Sequence, residues 1–263
     1  MPHTTSKDGT KIGFTKTGDG PALILVGGAF QDRSGLTRHA ELLSSHFTVY
    51  NYDRRGRGES GDNQPYDVER EIEDIDALIL EAGGSTLLFG GSSGAVLALD
   101  AAAHGLSITK LALYEPPFVV DDTREPLPED FLAQLKAMIV AGRRGDAAEA
   151  FMTKGAHVPV EVVADMRNAT MWPGVEAVAH TLIYDATIMD GTMLGKPLPV
   201  KRWASVSMPM LVMDGGKSPA WARNSVEALV NILPNAQHRT LEGQDHGVTP
   251  EALAPALAAF FAT

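Results

Sequence analysis

Apolar runs of strand length recur along the chain, and the segments between them carry their apolar positions at helical spacing. The runs are "ALILVGG" (22–28), "FTVYNYD" (47–53), "STLLFGG" (85–91), "ITKLALYE" (108–115) and "PMLVMDG" (209–215), with a weaker one, "QHRTLEG", at 237–243. Near-continuous apolar runs suit strands covered on both faces, as in a parallel sheet. Ahead of them, "HTTS" and "KIGFTKTG" flank Asp8-Gly9, a two-residue hairpin signal. Between strands, "YDVEREIEDIDALILEAGG" places Val68, Ile72, Ile75, Leu78, Ile79 and Ala82 on one helical face. Asp67 suits its N-cap, Glu69 and Glu71 suit its positive first turn, and Gly83-Gly84 closes it. Further helical patterns cover about 34–45, 93–104, 219–233 and 250–262. Steady alternation of this kind predicts an α/β fold with a mostly parallel twisted sheet flanked by helices.

One region breaks the alternation. From 116 to 207 no buried strand is legible, only helical patterns such as "PEDFLAQLKAMIVAG" and "GVEAVAHTLIYDATIM". Roughly ninety residues are too many for a simple connection. The expectation is a core of 1–115 and 208–263 interrupted by a helical cap, 116–207. Met166, Met171, Trp172, Tyr184, Met189 and Met193 in it fit plain core by spacing. Its departure from one strand end and return at the next favours a lid over an apolar pocket.

Composition narrows the function classes. With 33 acidic against 22 basic residues the net charge is −11, which disfavours nucleic acid and anionic membranes as partners. The absence of cysteine removes disulfides, thiolate metal sites and a thiol nucleophile. "GDGP" and "GGAF" lack the lysine and spacing of a phosphate loop, and no metal-ligating cluster is visible, so no cofactor is expected. The start "MPHTTSKDGTKIGF" has no signal pattern and no run is long enough to span a membrane, giving a cytoplasmic expectation with a small molecule as substrate.

The chemistry gathers at Gly90-Gly91-Ser92-Ser93-Gly94, which fits G-x-S-x-G with Ser92 at its centre. A serine at a sharp strand-to-helix turn needs small neighbours two residues away, and the turn lifts its hydroxyl above the sheet. Ser93 is not the central serine, because Ala95 would then take the second glycine position. Its backbone N–H instead faces a developing oxyanion.

With this motif between a buried strand and a helix, nearly the whole chain resembles the α/β-hydrolase fold family. "ALILVGGAF" is similar to the family's strand and oxyanion loop, with Gly27 where a histidine commonly sits. The resemblance implies Ala29 N–H as the second oxyanion donor and Phe30 as a pocket wall. "YDRRGRGESG" resembles a largely structural loop, which makes Asp53, Arg55 and Ser60 scaffold. "LEGQDHGVTPE" resembles the segment that delivers the catalytic histidine, His246. His3, His39, His46 and His104 read as solvated, and His157, His180 and His238 as polar partners elsewhere.

The acid departs from the family pattern. Counting from Gly215, its usual position holds Ser218, and a serine cannot stabilise an imidazolium as a buried carboxylate does. Two carboxylates remain: Glu115 at the end of "LALYE", a strand end from which certain family members take their acid, and Asp214 at the end of "MLVMD". Glu115 is preferred, since a carboxylate closing an apolar run needs a reason to be there; Asp214 is the alternative. A serine nucleophile points to acyl chemistry: hydrolysis of a carboxylic ester or lactone of a small to medium apolar substrate, with Trp172 and Trp221 as further pocket walls. The same site could serve a lyase, a C–C hydrolase or a perhydrolase, and less readily a non-catalytic receptor.

Overall fold

The computed structural model describes residues 2–262. The chain enters through β1 (His3–Thr5) and β2 (Lys11–Thr17), an antiparallel pair. Their connection is longer than the two-residue turn expected from Asp8-Gly9. Ser6 N–H donates to the Thr10 carbonyl, closing a five-residue loop in which Gly9 takes φ +85°. Then follow β3 (Ala22–Val26), β4 (Thr48–Tyr52), β5 (Thr86–Gly91), β6 (Ile108–Tyr114), β7 (Met210–Gly215) and β8 (Ala236–Leu241). They form one sheet in the order β1-β2-β4-β3-β5-β6-β7-β8, parallel from β4 onward. Every residue of β7 is buried, whereas half of β8 is exposed at the sheet edge, which is why its sequence signal is weak.

Helices cover both faces. On one, α1 (Thr37–Leu43) and α10 (Pro250–Ala262) pack on Leu23, Leu25, Phe89 and Tyr114. On the other lie α2 (Val68–Glu81), α3 (Ser93–Ala103) and α9 (Ala220–Ile232). Asp67 caps α2 as its sequence suggests, accepting from Glu69 N–H. The uniform apolarity of "SGAVLALDAAA" has a direct cause: α3 is buried on all sides, between the sheet and the helical insertion.

The insertion follows β6 and is helical. It contains α4 (Phe131–Val140), α5 (Arg144–Ala150), α6 (Val160–Arg167), α7 (Trp172–Val178) and α8 (Leu182–Ile188). Its return to the sheet is anchored at Asp100 of α3, a buried carboxylate that accepts from Arg202 (2.6 and 2.9 Å) and from Trp203 Nε1–H (2.8 Å). No helix among the described residues is long and apolar enough to cross a membrane.

Candidate active site

β5 ends at Gly91 and α3 begins at Ser93, leaving Ser92 alone at the turn with φ 55° and ψ −128°. Such a conformation costs about 1–3 kcal/mol for a residue with a side chain. The motif glycines make it possible. A Cβ on Gly94 would lie 2.5 Å from the Val26 carbonyl, and one on Gly90 would lie 2.4 Å from the Gly94 carbonyl. Ser92 N–H donates to the Tyr114 carbonyl at the end of β6, fixing the turn to the neighbouring strand.

The other non-glycine residues with positive φ are Phe30 (63°), Glu115 (44°) and His157 (58°). All lie at or next to the same site, so the strain of the described backbone is concentrated there.

His246 is carried by the loop between β8 and α10, with its side chain 47% exposed. Its Nδ1 lies 2.7 Å from Glu115 Oε2 and its Nε2 lies 3.1 Å from Ser92 Oγ. A carboxylate only accepts, so Nδ1 carries the proton and Nε2 is left to accept from the Ser92 hydroxyl. Glu115 is buried, and its second oxygen accepts from Gly215 N–H (2.8 Å) and Ser218 Oγ–H (2.5 Å). Burial pushes the Tyr114 phenol pKa up, and the protonated hydroxyl donates to the Asp245 carbonyl, pinning the histidine loop.

Asp214 does not face His246. It is buried against the adjacent strand's His238, whose Nε2 lies 3.0 Å from Oδ2. The position expected to hold an acid, Ser218, instead donates to the carboxylate arriving from the next strand.

Two cavities meet at Ser92 and His246. The larger, about 390 Å³, is predominantly apolar and lies under the insertion; Phe151, Val158, Met189, Pro219 and Trp221 contribute to its wall. Phe30 is not on that wall but packs edge-on against Phe151, with ring centroids 5.6 Å apart. Trp172 is not on it either: it is buried within the insertion, where its Nε1–H donates to Glu176 and Arg167 lies over its ring. Trp221 lies on the wall with the Arg124 guanidinium 4.6 Å from its ring centroid. Burial lowers Arg124 to about 10, so it stays charged at neutral pH while donating to the Lys154 and Gly155 carbonyls.

The smaller cavity, about 240 Å³, reaches between the sheet and α1 and includes Gln31, His39 and Tyr114. His39 reads as a solvated helix residue in sequence, yet it is buried, and burial pushes its imidazole pKa down. Among the described residues no cluster of three or more metal-ligating side chains is present.

The loop after β4 holds Asp53, Arg55 and Ser60 away from the cavities. Asp53 accepts from Arg33 and from Glu59 N–H, Ser60 bonds Gly13 N–H and the Asp53 carbonyl, and Arg55 is forked on Asp74. Arg54 and Arg57 in the same loop carry no motif signal. Both are buried, and both reach Asp185 of the insertion, at 2.7 and 2.6 Å. The pairing with Asp185 leaves no trace in the local sequence, because that carboxylate lies more than a hundred residues downstream.

Comparison with known proteins places this geometry. A solved α/β hydrolase from Sphaerobacter thermophilus DSM 20745 superposes with a TM-score of 0.92 at 54% identity, over 99% of this chain and 100% of that one. N-formylmaleamate deformylase of Pseudomonas putida is 27% identical over 92% of this chain and 88% of its own length. The uncharacterized hydrolase YraK of Bacillus subtilis is 34% identical over 101 residues, so the matched part of this chain spans 37% of that protein. The family model described as "Alpha/beta hydrolase family" matches residues 23–258. The chain belongs to the alpha/beta hydrolase family.

Proposed function

We propose that the protein is a serine hydrolase that cleaves a carboxylic ester or lactone of a small to medium apolar substrate through an acyl-enzyme. The observation that carries this reading is the continuous chain Ser92 Oγ, His246, Glu115, with contacts of 3.1 and 2.7 Å. His246 Nε2 takes the Ser92 proton as Oγ attacks the carbonyl carbon, and Glu115 holds the imidazolium that forms. The backbone N–H groups of Ser93 and Ala29 receive the oxyanion. Ser93 opens α3, so its N–H belongs to the first turn, whose donors have no partner inside the helix. Ala29 lines the cavity beside Ser92. His246 then returns its proton to the leaving oxygen, and water, deprotonated by the same nitrogen, releases the acid.

The apolar character of the larger cavity supports an uncharged aliphatic or aromatic acyl group, with residues 116–207 acting as a cap over it. The similarity to a deformylase adds an activated amide to the substrates worth trying. Glu115, beside Ser218, supplies the carboxylate that the usual acid position lacks, which supports acyl transfer through a complete triad.

The test is labelling with a fluorophosphonate followed by peptide mass spectrometry, alongside hydrolysis of a p-nitrophenyl ester series. A single label on Ser92 and loss of ester hydrolysis in Ser92→Ala are expected. A label on Ser93, or none on folded protein, overturns the proposal.

A further inference from the structure

Asp185, in α8 of the insertion, has no solvent exposure, and its two oxygens accept from Ser93 and from two buried arginines. Oδ1 accepts from Ser93 Oγ–H (2.8 Å) and from Arg54 Nη1 (2.7 Å); Oδ2 accepts from Arg57 Nη2 (2.6 Å). The two arginines then grip the loop that follows β3. Arg54 Nη1 donates to the Gly27 carbonyl (3.3 Å), and Arg57 Nη1 donates to the carbonyls of Gly28 (2.6 Å) and Gln31 (3.1 Å). Gln31 closes the loop on itself by accepting from Gly28 N–H (2.9 Å). Glu71 balances the second positive charge, forked on Arg54 with both contacts at 2.7 Å. Burial raises a carboxyl pKa, but the Arg57 and Arg54 charges and the hydrogen bonds outweigh it and hold Asp185 below the usual carboxylate range.

Resting on the serine-hydrolase reading, we infer that Asp185 is a positioning residue that assembles the oxyanion hole from the insertion side. The two donors of the hole sit on separate elements, Ala29 on the loop after β3 and Ser93 at the start of α3. One buried carboxylate ties Ser93 directly and the Ala29 loop through two arginines. Donors contribute to catalysis when they are fixed before the oxyanion forms, and losing one costs about 10²- to 10³-fold in kcat. Docking of α8 is therefore coupled to turnover, not merely to the seating of the insertion.

The experiment compares wild type, Ser93→Ala, Asp185→Asn and the double variant with p-nitrophenyl butyrate, and measures inhibition by phenylboronic acid, whose tetrahedral adduct on Ser92 places an oxygen in the hole. Ser93→Ala removes only the hydroxyl, keeping the backbone N–H and all the ion pairs. The expected result is a kcat about tenfold lower for Ser93→Ala and about 10²-fold lower for Asp185→Asn. KM should stay within about threefold while boronate affinity falls in parallel with kcat. The double variant should lose less than the product of the single losses. Unchanged kcat and boronate affinity in a folded variant, or fully multiplicative losses, overturn the inference while leaving the hydrolase reading in place. Should Asp185→Asn fail to fold, Ser93→Ala decides alone: kcat and boronate affinity within twofold of wild type overturn the inference. A wild type that is neither labelled on Ser92 by fluorophosphonate nor inhibited by boronate overturns both readings.

Discussion

Ser218 donates its hydroxyl to Glu115 Oε1 at 2.5 Å, across 103 residues of sequence. The two residues come from neighbouring strands: Ser218 follows β7 and Glu115 follows β6. The carboxylate thus occupies the space beside the residue that stands at the family's usual acid position. With Gly215 N–H as its second donor, Oε1 is satisfied and Oε2 is left for His246.

Glu115→Gln is expected to lower kcat by about 10²- to 10⁴-fold with the fold retained, since an amide cannot hold the Nδ1–H tautomer or the imidazolium as a carboxylate does. Asp214→Asn, which touches His238 rather than His246, should stay within about tenfold of wild type. Steady-state kinetics on both variants, with circular dichroism as a folding check, reads the ranking; the reverse order assigns the acid to Asp214.

Ser218→Ala removes one of two donors to Oε1 and should cost about 1.5–3 kcal/mol of the interaction that holds Glu115 in place, read as a roughly 10- to 10²-fold fall in kcat. In Glu115→Ala/Ser218→Asp the carboxylate is moved to the other strand end. Its kcat should exceed that of Glu115→Ala alone, because Ser218 already touches the carboxylate that meets His246. Equal activities would show that Ser218 and Glu115 do not share that space.

Trp221 and Trp172 should respond differently to truncation. Trp221→Ala widens the larger cavity and should shift preference towards longer acyl chains. Trp172→Ala empties a site inside the insertion, so a stability loss of about 3–5 kcal/mol with an unchanged chain-length order is expected. A p-nitrophenyl ester series and chemical denaturation separate the two effects.

Asp185 also sets an acid limit on stability. Its folded pKa lies below the unfolded value, so its contribution is fully present above about pH 4 and is lost as the pH falls through the folded value. At neutral pH Asp185→Asn should destabilise by about 3–5 kcal/mol, having left two buried guanidiniums short of one charge. The gap to wild type should narrow on acidification below that range, as wild-type Asp185 itself becomes neutral. Denaturant midpoints measured from pH 7 down to the acid limit of folding give the trend, and a constant gap would remove Asp185 from the acid-sensitive groups.

The sequence by itself determined the alternation of strands and helices, the serine turn and the helical insertion, because each is written in local terms. Buried parallel strands announce themselves as unbroken apolar runs, and the turn at Ser92 needs glycine at 90 and 94 to avoid backbone atoms. The tertiary structure decided which carboxylate meets His246. Glu115 and Asp214 end adjacent strands, with Tyr114 opposite Met213, so sequence position offers almost nothing to choose between them. Direction settles it: the positive φ at Glu115 turns its side chain towards the histidine loop, while Asp214, still within its strand, points at His238. Burial of charge was equally invisible. Arg54, Arg57 and Asp185 are ordinary surface residue types that enter the interior because folding brings neutralising partners together: Asp185 meets the two arginines from 128 or more residues away, and Glu71 meets Arg54 from the following helix. Helical spacing likewise fits Trp172 to a core, and the sequence does not separate it from Trp221 as a pocket wall. A periodic pattern fixes which face of a helix leaves water, and only the packing of that helix on its neighbours decides whether the face meets a core or a cavity.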